Sequence, residues 1–178
     1  LAKRWVKKGC QVTVFCGNDT KSPKNQNIDG VDIKRRGGTY TVYFWAFMYY
    51  ILRFRGKYDV IIDCENGIPF FSPLYSRLPS FLLIHHVHQE VFRQHLIFPV
   101  SVIARFLEGT FMPFVYKNKQ VITVSESSKQ AIVRLNIAKA ANITIIQNGV
   151  NMQTFSKFKK AEYPLFVYLG RLKAYKNI

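Results

Sequence analysis

The feature that most limits the fold is an alternation. Short apolar runs of strand character recur along the chain, separated by stretches with helical spacing. Gln11–Cys16, Val31–Arg35, Tyr58–Cys64, Phe81–Ile84, Gln120–Val124, Asn142–Ile146 and Leu165–Leu169 read as strands. Residues 1–8, 40–54, 68–77, 90–116 and 126–135 read as helices, with Pro99 and Pro113 expected to break or kink the fourth. Tyr58–Cys64 and Phe81–Ile84 are almost continuously apolar, the mark of strands buried on both faces. Strands of that kind, alternating with helices, predict an α/β fold: a Rossmann-like, doubly wound parallel sheet. Gly9 and Ser125 sit where a helix C-cap and an N-cap belong.

Composition restricts the partners. The 178 residues carry 26 Lys+Arg against 10 Asp+Glu, a net charge of +16. A field of that sign attracts phosphates, nucleic acid or anionic lipid. The aromatics lie within apolar runs rather than interleaved with the bases as stacking platforms, which argues against nucleic acid. Cys10, Cys16 and Cys64 form no CxxC pair and read as buried free thiols of a reducing compartment. No run reaches the roughly 20 apolar residues that cross a bilayer. The expectation is a cytoplasmic chain that can lie on the inner membrane face. The aromatic and basic residues of 40–55, Tyr40, Phe44, Trp45, Phe47, Arg53 and Arg55 among them, fit either such a surface or a core helix with a basic end.

Three places carry chemistry. Gly170, Arg171, Lys173 and Lys176 directly follow the run Leu165–Leu169, and in open α/β sheets ligands bind beyond the carboxyl ends of strands. A glycine admits a ligand to the backbone, and Arg171 with Lys176 could grip one diphosphate. The alternative is a basic surface turn. The second place holds all four histidines, His85, His86, His88 and His95, within 11 residues after the strand Phe81–Ile84. A metal site, a packed structural loop and a substrate-binding loop all remain open there. No cysteine lies near, and Glu90 is the only carboxylate close in sequence, so no metal is expected. The third is Asp63-Cys64-Glu65-Asn66-Gly67 at a strand end. Glu65 and Asn66 are candidate contacts for a substrate, whereas Asp63 reads as part of an ordinary turn.

Four segments, in order, resemble one family. Gly170-Arg171-Leu172 with Lys176 resembles the donor-domain opening G-R-L-x-x-x-K-G of the retaining GT-B glycosyltransferases of family 4, with Asn177 in place of the final Gly. Val121–Val133 resembles the family's strand-Ser-x-Ser-helix segment. Ile145–Asn151 resembles its P-N-G-V-D segment, with Gln147 for Pro and Asn151 for Asp. Lys7–Cys16 resembles its first helix and second strand.

The resemblance implies a division at residue 160. Residues 1–160 would be the N-terminal acceptor-side domain, without its first strand, and 161–178 the start of the nucleotide-sugar domain, with Asn148 and Gly149 at the hinge. It implies transfer from a UDP- or GDP-sugar to a saccharide or lipid-linked acceptor with retention, in polysaccharide, lipopolysaccharide or glycolipid synthesis, without a cofactor. His85 is the best match to the family histidine that meets the donor sugar, and His86 is second. His88, Glu65 and Asn66 would line the acceptor side of the cleft. Gly170, Arg171 and Lys176 would hold the donor diphosphate. The family's donor-binding glutamates would fall beyond Ile178, so the isolated chain is expected to transfer no sugar. The rival readings are a basic nucleic-acid-binding α/β module and another Rossmann-type sugar-nucleotide enzyme.

Overall fold

The computed structural model describes residues 1–89, 92–93, 96–149 and 161–170. Their strands form two sheets. In the first, β1 (Val12–Cys16) lies parallel to β3 (Val31–Arg35), and β2 (Asn25–Ile28) runs antiparallel on the far side of β3. In the second, β4 (Ile61–Glu65), β5 (Ser80–Ile84), β6 (Gln120–Thr123) and β7 (Ile143–Ile145) are all parallel and adjacent in chain order. The expected parallel α/β architecture is present. The expected single sheet is not: β1 and β4 each keep one edge without a strand partner among the described residues. Side chains join the halves instead. Tyr58 Oη donates to Thr13 Oγ1 at 2.7 Å, and Tyr43 Oη donates to the Ile68 carbonyl at 3.2 Å.

A hydrophobic core cluster is built on the second sheet. Leu82 and Ile84 on β5, Val121 on β6 and Ile143 on β7 are buried in one cluster with residues of the following helices. A helical rod precedes β6. It consists of α3 (Val100–Phe106), a π-helical turn (Leu107–Phe111) and α4 (Met112–Tyr116), of which Met112, Val115 and Tyr116 enter the core. Helix α5 (Glu126–Arg134) follows β6 and adds Ile132. Each fully buried side chain of this size contributes about 1.5–3 kcal/mol. Ser125 caps α5 as expected, its Oγ accepting the Ser128 N–H at 3.2 Å.

Several local expectations are corrected. The cysteines are not buried: Cys10 and Cys64 are exposed and Cys16 is half-buried. Pro113 does not break its helix, because the wider π-helical turn precedes it and Pro113 lies in the first turn of the next α-helical segment, where its missing N–H costs least. Residues 68–77 hold only a single 3-10 turn, Ser72–Leu74, since Pro69 and Pro73 interrupt helical bonding. Strand β2 was not anticipated because its residues, Asn-Gln-Asn-Ile, are polar. Its signal was Asp29-Gly30, both at positive φ (51° and 82°), the turn that matches hairpin twist. A side chain at position 30 would also approach Val6 Cγ1 to 2.6 Å, so glycine is required there twice over. Leu165–Leu169 form no strand, and their side chains are exposed. No described strand lies beside them, and an unpaired strand is not stable in water.

A candidate site at the carboxyl ends of the parallel strands

Register aligns three strand ends. Glu65 is paired with Ile84, and Ile84 with Thr123, so β4, β5 and β6 stop at one level. The segments that leave them, 66–67, 85–88 and 125–128, therefore meet beyond the sheet, where open α/β folds bind ligands. The exit of β5 is pinned: the His85 carbonyl accepts a hydrogen bond from Ser128 Oγ, 2.7 Å away in the first turn of α5.

The histidines separate into two layers. His85 and His86 are exposed. The His86 ring lies 4.3 Å from that of His88, and His88 stacks on Phe92 at 5.5 Å. His88 points inward, its side chain 14% exposed, and meets two carboxylates that are each 1% exposed. Its Nδ1 lies 2.9 Å from Glu65 Oε1 and 3.7 Å from Glu108 Oε1. These contacts are ion pairs rather than directed hydrogen bonds, since Nδ1 has no aligned acceptor. The His88 backbone N–H donates to Glu108 Oε1, and the Gly67 N–H donates to Glu65 Oε1 at 2.8 Å. The second oxygen of each carboxylate is buried without a hydrogen-bond partner.

Charge follows from this geometry. Burial alone would lower the His88 pKa, but Glu108 and Glu65 outweigh it and push it up to about 9. Burial raises the Glu65 carboxyl above its ordinary value; His88 opposes that shift and Glu108 adds to it. At neutral pH the cluster pairs an imidazolium with two acidic groups in a nearly dry setting.

Asp63, two residues earlier on β4, is no ordinary turn residue. Its carboxylate is buried and accepts three hydrogen bonds: from the Phe70 N–H (2.8 Å), the Ser72 N–H (2.9 Å) and Tyr116 Oη (2.6 Å). It ties β4 to the next loop and to α4; burial, reinforced by the Asp63 carboxylate, holds the Tyr116 phenol well above its ordinary pKa.

The remaining expected site residues are dispersed. Asn66 is exposed beside the cluster, while the Glu65 side chain faces inward, away from any solvent-borne acceptor. Asn148 and Gly149 lie in an exposed irregular segment after β7. Gly170 is an exposed bend, and Arg171, Lys173, Lys176 and His95 lie outside the described residues. The residue that sequence reasoning missed is Glu108. Its signal was a lone acid inside the apolar run Phe106–Met112, which a helix packed in a core tolerates only when the acid is paired.

A parallel α/β sheet with helices, and with polar and titratable groups gathered beyond its strand ends, is a Rossmann-like arrangement. The sequence model of Glycosyltransferase Family 4 matches residues 1–154, and the chain belongs to that family. It is thus a glycosyltransferase-type domain. No curated protein matches the chain.

Proposed function

We propose that this chain forms the acceptor-side wall of a GT-B glycosyltransferase that moves a sugar, with retention, from a UDP- or GDP-sugar to a saccharide or lipid-linked acceptor. The observation that carries the reading is the family match over 154 residues, joined to exposed imidazoles at a parallel strand end. His85 and His86 would hydrogen-bond the donor sugar as the nucleoside diphosphate departs. Fixed donors and cations at the leaving phosphates, for which Arg171 and Lys176 are the candidates, would stabilise the charge that gathers there. The test is transfer of radiolabelled sugar from UDP- and GDP-donors by a Family 4 protein containing this domain. His85→Ala or His86→Ala should lower kcat at least about a hundredfold, the range of one lost electrostatic contact. Unchanged kcat in both variants would remove the histidines from the reaction.

The outer face of α2 (Val42–Tyr49) favours a lipid-linked acceptor reached from a membrane surface. Val42 and Ala46 are buried, but Phe44 (60% exposed), Phe47, Ile51 and Leu52 (67% exposed) form an outward stripe at helical spacing that runs into the π-helical turn Tyr50–Phe54. Arg53 and Arg55 flank its end. Among the described residues no helix is long and apolar enough to cross a membrane, and such a stripe suits the interface instead. Co-sedimentation with anionic, but not neutral, vesicles is expected, and Phe44→Ser/Leu52→Ser should abolish it. Sedimentation that ignores lipid charge would sink this reading.

A further inference from the structure

We propose that Glu65, His88 and Glu108 form a binding site for a divalent first-row cation of the Mn2+/Zn2+ class, set beneath the exposed histidines. The three residues come from three different elements: the end of β4, the loop after β5 and the π-helical turn before α4. One donor atom from each falls within 4.8 Å of the others. Two hard carboxylates and a borderline imidazole make a mixed oxygen–nitrogen donor set. It suits manganese, iron or zinc, rather than thiol-seeking copper(I) or the all-oxygen cages of calcium.

A further observation points to a cation: the pair of bare oxygens on carboxylate side chains that are each 1% exposed. Glu65 Oε2 and Glu108 Oε2 are buried and accept nothing, although buried acceptors are normally satisfied. Their partner oxygens already accept backbone N–H groups, from Gly67 and His88. Outer hydrogen bonds of that kind orient ligating carboxylates. The π-helical turn is what turns Glu108 inward, and such turns recur at functional sites.

The competing state holds two protons in place of the cation, one on His88 and one on a carboxylate. The two states differ in stoichiometric metal binding. The chain, stripped with chelator, is titrated with Mn2+, Zn2+ and the spectroscopic probe Co2+, and bound metal is counted by equilibrium dialysis. One equivalent is expected, with a rise in Tm and a Co2+ ligand-field band of nitrogen and oxygen donors. Glu65→Gln, Glu108→Gln and His88→Gln, each checked for native circular dichroism, should weaken binding about 10–100-fold or more. His85→Ala and Cys64→Ser should bind as the parent does. No saturable binding below about 100 µM (roughly −5.5 kcal/mol) would show the protonated cluster and overturn the proposal. So would undiminished binding in the glutamine variants, or a sulfur-to-cobalt charge-transfer band, which would assign the metal to the cysteines.

Discussion

Asp63 and Glu65 stand two residues apart on β4, point to the same face of the strand and are both buried, yet they are built for different purposes. Asp63 meets only uncharged donors, two backbone N–H groups and a phenol, and both its oxygens are used. Glu65 meets a titratable ring and a second carboxylate, and leaves one oxygen bare. A fully satisfied buried carboxylate is a structural joint. A half-satisfied cluster that includes a histidine responds to protons and cations, and such responsiveness concentrates at functional sites. The contrast shows that burial of an acid does not define its role; the chemistry of its partners does.

The sharpest way to break this contrast is to remove each centre in turn. Asp63→Ala should be the most damaging change, about 3–5 kcal/mol, because it orphans the Tyr116 hydroxyl and two N–H groups at once. Urea unfolding measures it. Asp63→Asn should cost less, since the amide oxygen still accepts one or two of those bonds. A loss under about 1 kcal/mol for the alanine variant would reduce Asp63 to the turn residue that sequence reading made it.

The second centre should reveal itself through pH. In protein freed of divalent cations, the folded-state pKa of His88 lies near 9, above its ordinary 6.5. The charged ring therefore contributes its full stabilisation below about pH 6.5 and loses it as the pH rises through 9. A shift of that size corresponds to about 3 kcal/mol. Urea midpoints of the parent chain should fall between pH 6.5 and 9.5, and those of His88→Gln should be flatter over the same window. Parallel curves for the two proteins would place the titrating group elsewhere.

This contrast also marks where sequence reading stops. Tyr58–Cys64, Phe81–Ile84 and Gln120–Val124 were legible as parallel strands because buried strands need apolar residues at nearly every position, and composition alone displays that. The Ser125 cap was legible because its chemistry is local. The partners of Glu65 and Asp63 were not. Glu108 lies 43 positions after Glu65 and Tyr116 lies 53 after Asp63, and no periodicity links such residues before the strands and the helical rod are packed. The histidines were visible as a cluster, but their division into exposed His85 and His86 and inward His88 depends on the path of the loop. The strand expected at Leu165–Leu169 failed for a related reason, since an apolar run becomes a strand only where another strand can pair with it.

The smallest predicted effect concerns how the two layers of histidine are held. His88 is fixed from below by carboxylates, whereas the described anchor at the start of the loop is a single bond from Ser128 Oγ to the His85 carbonyl. Ser128→Ala removes that donor and also a contact with Ser125 Oγ at 3.0 Å, and should cost only about 1 kcal/mol. Its effect on position should exceed its effect on stability. Because the bond grips the backbone where β5 ends, losing it should shift the amide resonances of His85 and His86 while leaving that of His88, held by Glu108, in place. If all three move together, the loop is one rigid unit, and the exposed imidazoles inherit their placement from the buried cluster. If only the outer two move, the exposed histidines are positioned by α5, and the charge cluster can change its protons without disturbing them.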